Sequence, residues 1–225
     1  MKVSIIIPAK GTSERLKNKN MLEIDSKSLT YHACEKCLKV NSIDNVYLDT
    51  ESDQLIKNVE PLVEKGLKII KRPNYLATNK YGGNDLIVFE QSQIEKSDLI
   101  LHTYPTSPLI TSETIEYVIE YFKNNGEKYD SFFTAIHFQE YIWNEHGPIN
   151  FTLDELPNAV NLPKNIVMET HGLYGIRDKA LTRYKRRLGT KCMPIEIPRE
   201  QALDINYEED FKLLEILWEN NNWKN

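Results

Sequence analysis

Short apolar runs alternate with segments of helical periodicity along most of this chain of 225 residues. The continuous apolar run at residues 3–9 is typical of a strand covered on both faces. Further strands are predicted at 45–50, 67–72, 98–104, 131–138, 171–176 and 191–197. Helices are predicted between them at 29–40, 52–66, 84–96, 111–126 and 207–221. This alternation indicates an α/β fold with a mainly parallel central sheet and helices on both faces.

The length suits one sizeable domain, and the prediction is a single domain spanning residues 1–225. Residues 139–169 break the alternation, because this stretch mixes aromatic residues with Gly and Pro and has no clean period. We interpret it as an arm inserted into the core fold. It could serve as a lid, an acceptor-binding arm or a dimer contact.

Composition narrows the function classes. The net charge of −5 disfavours a broad nucleic-acid surface, although a local basic pocket is compatible with it. No apolar run approaches the roughly 18 residues needed to span a bilayer, and no secretory signal is apparent, so we expect a cytoplasmic protein without membrane contact. The three cysteines indicate reduced thiols. Cys34 and Cys37 lie on a helical period, which favours core packing over metal binding or redox chemistry.

The first strand leads directly into a basic loop, "AKGTSERLKNKN". In open α/β sheets, ligands bind beyond the carboxyl ends of the strands, which is where this loop is predicted to lie. Gly11 allows a sharp turn, Ser13 offers a hydroxyl group, and Lys10, Arg15 and Lys19 offer positive charge. Such a loop suits a triphosphate, although neither G-x-x-x-x-G-K-[ST] nor G-x-G-x-x-G is present. The alternative is a solvated surface loop.

Two other segments point to the same edge of the sheet. "YPTSPLI" follows the strand at 98–104 and places Thr106 and Ser107 in a tight turn between prolines. "ALDINYEEDF" places Asp204 and Asn206 two residues apart before the last helix. Residues i and i+2 of an extended segment face the same way, and two oxygen ligands together suit Mg²⁺.

Five stretches resemble the CMP-sugar synthetases, that is, the acylneuraminate cytidylyltransferases and their relatives that act on Kdo, legionaminate and pseudaminate. "IIIPAKGTSERLKNKN" resembles their nucleotide-binding signature, and the other four follow in the same order along the chain. They are "YLDTES", "KRPNYLA", "YPTSPLI" and "LDINYEEDF". The resemblance extends from Ile5 to about Phe211. It implies a Rossmann-like nucleotide-diphospho-sugar transferase fold.

The resemblance also implies a reaction, in which CTP and an acidic sugar of the nonulosonate type give a CMP-sugar and pyrophosphate for surface glycan synthesis. It implies Mg²⁺ as cofactor and a homodimer formed through the arm at 139–169. By the same resemblance Lys10, Arg15, Lys19 and Asp204 are catalytic, and Asp204 and Asn206 hold the metal. The nucleotide would contact Ala9, Lys10, Gly11, Ser13, Arg15, Lys19, Asn20, Arg72, Leu76 and Ala77. The acceptor would contact Tyr104, Thr106, Ser107, His171 and Gly172.

On the nucleotide side the sequence departs from the family pattern at three positions. Lys10 replaces an arginine, Asn206 replaces an aspartate, and Glu51 replaces the aspartate of the second-strand segment. Asn can still ligate Mg²⁺ through its carbonyl oxygen. A catalytically weak nucleotide-binding or regulatory protein is therefore one alternative to the enzyme.

On the acceptor side the departures are larger. Tyr104 stands for a glutamine, and Ile110 and Glu169 each stand for an arginine. The arginine replaced by Glu169 is the one associated with the acceptor, and a carboxylate is normally held by arginine as a bidentate pair. Its replacement could come from Lys164, from Arg177 or from the basic cluster at 183–187. A phosphate or phosphonate acceptor is the second alternative.

Overall fold

The computed structural model describes residues 1–220. Asn221, the last residue of the predicted C-terminal helix, and the end of the domain predicted for 1–225 lie outside the described residues. The strands are β1 (Val3–Pro8), β2 (Glu23–Ile24), β3 (Lys27–Ser28), β4 (Asn45–Thr50), β5 (Leu67–Lys71), β6 (Leu99–Thr103), β7 (Ser131–His137), β8 (Trp143–Asn144), β9 (Gly147–Pro148), β10 (Val167–Arg177) and β11 (Cys192–Glu196). The helices are α1 (Leu29–Leu38), α2 (Asp53–Asn58), α3 (Glu60–Val63), α4 (Gly83–Gln91), α5 (Ser112–Asn125), α6 (Asp178–Tyr184) and α7 (Glu208–Asn220).

Within residues 1–220, the main sheet has seven strands in the order β11-β7-β10-β6-β1-β4-β5. Strand β10 runs antiparallel to both of its neighbours, β6 and β7, and the remaining pairs are parallel. The predicted α/β class with a mainly parallel sheet is confirmed. The carboxyl ends of β1, β4, β5 and β6 therefore meet at one edge.

The sheet is buried on both faces, as the apolar run at its centre predicts. Val3, Ile5 and Ile7 of β1 pack into one hydrophobic cluster with residues of α1, α2 and α5. Ile6 points the other way and packs with Ile87 of α4 and with residues of α6. Successive side chains of a strand point to opposite faces, so this division confirms that helices cover both sides.

The N-termini of α5 and α4 can be compared with the sequence predictions. Helix α5 begins as predicted, because Thr111 accepts a hydrogen bond from the N–H of Thr114 at 3.2 Å. Helix α4 begins at Gly83, one residue before the predicted start at 84. Gly82 is the capping residue, and the Asp85 carboxylate reaches back to accept its N–H at 2.8 Å. The start of α4 is thus stabilised by a carboxylate at the third helical position rather than by a capping side chain before the helix.

Other elements also differ from the sequence predictions. Helix α4 ends at Gln91, earlier than the predicted 96. The single helix predicted at 52–66 is divided into α2 and α3 at Val59, two residues before Pro61. Strand β10 begins at Val167, earlier than the predicted 171, so it includes the end of the stretch at 139–169 that we interpret as an arm. The small β2–β3 hairpin was not predicted. No helix among the described residues combines the length and apolarity required to cross a membrane.

Candidate active site

A cavity of about 490 Å³ opens where β1, β5 and β6 end. This is the position that open α/β sheets use for ligands. Its wall is formed by the basic loop at 10–20, the segments after β5 and β6, and the start of α4. The lining residues are Pro8, Lys10, Thr12, Ser13, Glu14, Arg15, Lys19, Asn20, Arg72, Leu76, Thr78, Asn79, Tyr81, Gly82, Gly83, Leu86, Tyr104, Pro105 and Thr106.

Most of the predicted nucleotide-binding residues meet at this cavity. Those that line it are Lys10, Ser13, Arg15, Lys19, Asn20, Arg72 and Leu76. Ala9, Gly11 and Ala77 do not line it. Ala9 is buried at the end of the first strand, and the backbone N–H of Gly11 donates to Glu51 Oε1 at 2.7 Å. A Cβ at Gly11 would lie 2.7 Å from the Cβ of Ser52, so this close turn requires glycine.

The basic side chains of the loop have neutral partners. Lys10 Nζ donates to Asn79 Oδ1 at 2.9 Å, and Asn20 donates to the carbonyl oxygen of Lys10 at 2.8 Å, which fixes the loop. Arg15 is exposed at the cavity, and its guanidinium lies 5.6 Å from the ring centre of Tyr207. Among residues 1–220, no carboxylate is bound directly to Lys10 or Arg15 at the cavity.

Lys19 joins the basic loop to the segment that carries Asp204. Its Nζ donates to the carbonyl oxygen of Ile205 at 2.8 Å. Burial lowers the pKa of Lys19, the charge of Asp204 opposes this, and the nearby Arg15 lowers it further. The backbone N–H of Ile205 donates to the carbonyl oxygen of Thr106 at 2.8 Å. The three segments predicted to share one sheet edge are thus bonded to one another.

Asp204 and Asn206 lie beside the cavity rather than on its lining. Asn206 Nδ2 donates to Asp204 Oδ2 at 2.6 Å, and His171 Nδ1 lies 3.6 Å from the same oxygen. Asp204 Oδ1 is buried and has no hydrogen-bond partner among the described residues. A buried carboxylate oxygen without a partner is unfavourable unless a cation or a donor meets it. His171, predicted to bind the acceptor, is thus placed next to the predicted metal residues.

The donor set at Asp204 suits Mg²⁺. It consists of a carboxylate and an amide, which are the oxygen ligands that this ion prefers. In the described part of the chain, no group of three or more His, Cys, Asp or Glu side chains could hold a metal. The protein alone would therefore supply few ligands. Mg²⁺ usually keeps several water ligands and binds substrate phosphates, so it does not require a site built from protein ligands alone.

Behind the cavity lies a buried row of four charged or titratable side chains, Arg72, Asp49, Glu90 and His102. Each is at most 2% exposed. Arg72 Nε and Nη2 donate to Asp49 Oδ2 at 2.9 and 2.6 Å, and His102 Nε2 lies 2.5 Å from Glu90 Oε2. Arg72 reaches the cavity, but its guanidinium is already bound to a carboxylate. Sequence reasoning did not predict this row.

The titration of the buried row follows from its burial. Burial raises the pKa of Asp49 to about 7, and a hydrogen bond with Glu90 adds to this against the lowering effect of Arg72. Burial raises the pKa of Glu90 to about 7 as well. Burial lowers the pKa of His102 to about 3, so its imidazole is neutral. Burial thus favours the neutral form of both carboxyl groups, and the charge of Arg72 opposes this.

Of the residues predicted to bind the acceptor, some line the cavity and others are buried. Tyr104 and Thr106 line the cavity. Ser107 is 2% exposed and lies under the turn. Gly172 is buried, and its carbonyl oxygen accepts a hydrogen bond from Thr103 at 2.7 Å. Ser107 and Gly172 therefore shape this wall and do not line it.

Arg187 contacts the acceptor wall through Tyr104 but does not itself line the cavity. Arg187 Nη1 donates to the hydroxyl oxygen of Tyr104 at 2.9 Å, and its guanidinium lies 3.7 Å above the ring centre of Tyr174. Of the other candidates, Arg177 donates to the carbonyl oxygens of two residues of the fold, and Lys164 is exposed and does not line the cavity. The basic cluster at 183–187 thus contributes Arg187. The sequence indicated the cluster but not which of its members contacts Tyr104.

Comparisons with known proteins show which family the chain resembles. A family model described as cytidylyltransferase matches residues 4–221. The N-acylneuraminate cytidylyltransferase of Streptococcus agalactiae serotype V is 22% identical over 223 residues, which cover 94% of this chain and 52% of the relative. The 8-amino-3,8-dideoxy-manno-octulosonate cytidylyltransferase of Shewanella baltica (strain OS155) is 27% identical over 130 residues, covering 58% of this chain and 51% of that protein. The chain spans about half the length of these curated relatives.

Solved structures share the fold. A CMP:2-keto-3-deoxy-manno-octonic acid synthetase complexed with CTP superposes with a TM-score of 0.70 at 16% identity, covering 98% of this chain and 99% of the other. The 4-diphosphocytidyl-2C-methyl-D-erythritol synthase of Anaerococcus prevotii gives a TM-score of 0.66 at 14% identity, covering 97% and 96%. At these identities the likeness concerns the architecture of the two chains.

Proposed function

This chain belongs to the cytidylyltransferase family, and on that premise we propose that it transfers CMP from CTP to an acidic sugar and releases pyrophosphate. The acceptor is a 2-keto acid of the nonulosonate type, made for a surface glycan in the cytoplasm. The observation that carries the proposal is the bond from Lys19 Nζ to the carbonyl oxygen of Ile205, 2.8 Å long. This bond supports the proposal because it joins the basic loop, which lines the cavity, to the segment that carries Asp204 beside the cavity.

In this proposal the triphosphate binds the basic loop. Lys10, Arg15 and Lys19 line the cavity, and no carboxylate in the described part of the chain is bound directly to them. Ser13 lines the same cavity with its hydroxyl group. Leu76 and the side of Arg72 form the opposite part of the lining, where the cytosine ring would rest. The bond from Arg72 to Asp49 fixes that surface and gives it a definite shape.

The reaction is an in-line displacement at phosphorus. A hydroxyl oxygen of the acceptor bonds to the α-phosphorus of CTP, the bond to the bridging oxygen of pyrophosphate breaks, and the hydroxyl proton leaves to solvent or base. Such a transfer depends on positioning and on stabilising charge rather than on covalent help from the protein. Arg15 and Lys19 would stabilise the charge that develops on the phosphates. Asp204 and Asn206 would hold Mg²⁺, which when bound supplies further charge neutralisation.

The arm supports the proposed homodimer. It carries large apolar side chains that are more than half exposed, among them Trp143, Ile149, Leu153, Leu156 and Val160. Exposed apolar patches of this kind commonly mark protein contacts. A second copy of the chain is the occupant that the resemblance implies, and molar mass in solution by light scattering tests it.

Pyrophosphate release tests the proposed function. Purified protein is incubated with Mg²⁺ and CTP against N-acetylneuraminate, 2-keto-3-deoxy-manno-octonic acid and small phosphonates, with ATP, GTP and UTP as nucleotide controls. We expect release with CTP and a sugar acid. Release only with a phosphonate would favour the alternative acceptor class. CTP binding without release on any acceptor would favour the nucleotide-binding alternative over the enzyme.

A further inference from the structure

We propose that Tyr104 and Arg187 act as one unit that selects the acceptor by binding its anionic group. This inference rests on the proposed function, because it concerns the second substrate of the same cavity. Arg187 lies in the segment after α6, and its guanidinium contacts the hydroxyl group of Tyr104, a residue that lines the cavity.

The first argument is the supply of hydrogen-bond donors. A guanidinium group has five N–H donors. Among the described residues, the Arg187 side chain spends one of them in a hydrogen bond, the one to the hydroxyl oxygen of Tyr104 at 2.9 Å. The Arg187 side chain is 23% exposed, so part of it remains accessible. The group therefore keeps the capacity to bind an anion.

The second argument is the direction of the bond between the two residues. Arg187 donates and the Tyr104 oxygen accepts, so the hydroxyl proton of Tyr104 is left for another acceptor. Burial raises the pKa of Tyr104, which keeps that proton in place at neutral pH. Tyr104 lines the cavity, with Pro105 and Thr106 beside it. A donor polarised by an adjacent cation thus faces the space where the acceptor would bind.

The third argument is that the unit is held rigidly. The guanidinium lies 3.7 Å above the ring centre of Tyr174, and Gly83 at the start of α4 is close enough that a Cβ there would lie 3.5 Å from Arg187 Nη1. The ring of Tyr104 packs edge-on against Tyr174 at 6.2 Å between centres. Donors that are already oriented lose little entropy when a ligand binds.

Glu169 orients the unit without neutralising it completely. Its Oε1 accepts the hydroxyl proton of Tyr174 at 2.5 Å and lies 3.7 Å from Arg187 Nη2, beyond hydrogen-bond distance. The Glu169 carboxylate thus restricts the orientation of the Arg187 guanidinium, while its own hydrogen-bond donor is the Tyr174 hydroxyl. An acceptor carboxylate or phosphonate could still form direct bonds with Arg187.

The test is steady-state kinetics of pyrophosphate release with three variants, Arg187→Gln, Arg187→Lys and Tyr104→Phe. The acceptor is whichever of N-acetylneuraminate, 2-keto-3-deoxy-manno-octonic acid or 2-aminoethylphosphonate the unaltered protein turns over fastest, so that the panel separates carboxylate from phosphonate. We expect Arg187→Gln to raise KM for the acceptor roughly 10-fold to 100-fold, while KM for CTP stays within about twofold. Tyr104→Phe should raise it by a smaller factor, and Arg187→Lys should recover part of the loss.

Arg183→Gln is the matched control, since it removes the same charge from the last turn of α6, at an exposed position that contacts the ring of Tyr184. A second readout compares the acceptor with its methyl ester. The unaltered protein should prefer the acid, and Arg187→Gln should lose that preference. An unchanged acceptor KM, an equal rise in both KM values, or the same effect from Arg183→Gln would overturn the inference while the proposed function stands. Failure of the unaltered protein on every acceptor would overturn both.

Discussion

The basic loop at 10–20 and the buried row behind the cavity use the same kinds of side chain in opposite ways. In the loop, Lys10 and Lys19 bind neutral oxygens and Arg15 is exposed. In the row, Arg72 is 2% exposed and bonded to the carboxylate of Asp49. A cation with neutral partners keeps its capacity to bind phosphate, whereas a buried and paired cation mainly supports the fold. Pairing and burial, rather than charge alone, separate the two roles.

The largest effect should come from breaking the buried row. Arg72→Met leaves Asp49 buried without its partner, and we expect the free energy of unfolding to fall by about 3 to 5 kcal/mol. Urea denaturation measures this. Because the damage is an unpaired charge, Arg72→Met combined with Asp49→Asn should cost less than the sum of the single changes. A loss below about 1 kcal/mol for Arg72→Met would show that the pair does not support the fold in this way.

The loop should show the opposite pattern. Lys19→Ala should lower kcat/KM for CTP by roughly 10²-fold to 10³-fold, the usual cost of removing one group that stabilises developing charge. The free energy of unfolding should change much less than for Arg72→Met. Lys17→Ala is the matched control, because Lys17 is exposed in the same loop and does not line the cavity. Equal losses from the two variants would indicate a general effect of loop charge and would contradict the assignment.

The pH dependence of stability sharpens the comparison. Glu90 has its pKa raised from 4.5 to about 7 in the fold, so its contribution is fully present below pH 4.5 and is lost as pH rises through 7. Glu90→Gln removes this loss. The variant should therefore gain about 2 to 3 kcal/mol relative to the unaltered protein between those limits.

The shifted pKa of His102 makes stability depend on pH in the opposite direction to that of Glu90. Its pKa is lowered to about 3, so its contribution is present above pH 6.5 and is lost as pH falls towards 3. Thermal unfolding curves from pH 4 to pH 8 measure the difference between Glu90→Gln and the unaltered protein, and parallel curves would contradict the raised pKa of Glu90.

The smallest effect should appear at the proposed metal residues. Asn206→Asp adds a carboxylate next to Asp204, and we expect the Mg²⁺ concentration for half-maximal rate to fall roughly 3-fold to 10-fold. A titration of rate against Mg²⁺ at fixed CTP measures it. Asp210→Asn is a useful comparison, because Asp210 caps the start of α7 through the N–H groups of Asn206 and Tyr207. An unchanged or higher Mg²⁺ requirement in Asn206→Asp would argue against a metal at this position.

The sequence predicted what is local along the chain. The loop after the first strand is contiguous, and its position at the sheet edge follows from the alternation of strands and helices. Most of the strands and the start of α5 could likewise be predicted, since they depend on apolar periodicity and on a Thr cap. These features need no knowledge of distant contacts.

What the sequence could not predict depends on contacts between distant segments. The buried row joins β4, the end of β5, α4 and β6, and no spacing along the chain indicates that Asp49, Arg72, Glu90 and His102 meet. The start of β10 was missed because a register shift between Glu169 and Tyr174 interrupts its pattern. The β2–β3 hairpin was missed because its strands have two residues each, joined by Asp25 and Ser26 at positive φ.

The most direct test of the central claim is ³¹P nuclear magnetic resonance of the protein with CTP, Mg²⁺ and the best acceptor. The account predicts that the three resonances of CTP are replaced by one phosphodiester resonance and by pyrophosphate in equal amounts, and that Lys19→Ala slows this while Lys17→Ala does not. Formation of CDP and inorganic phosphate, or no change while CTP is bound, would contradict cytidylyl transfer at this cavity.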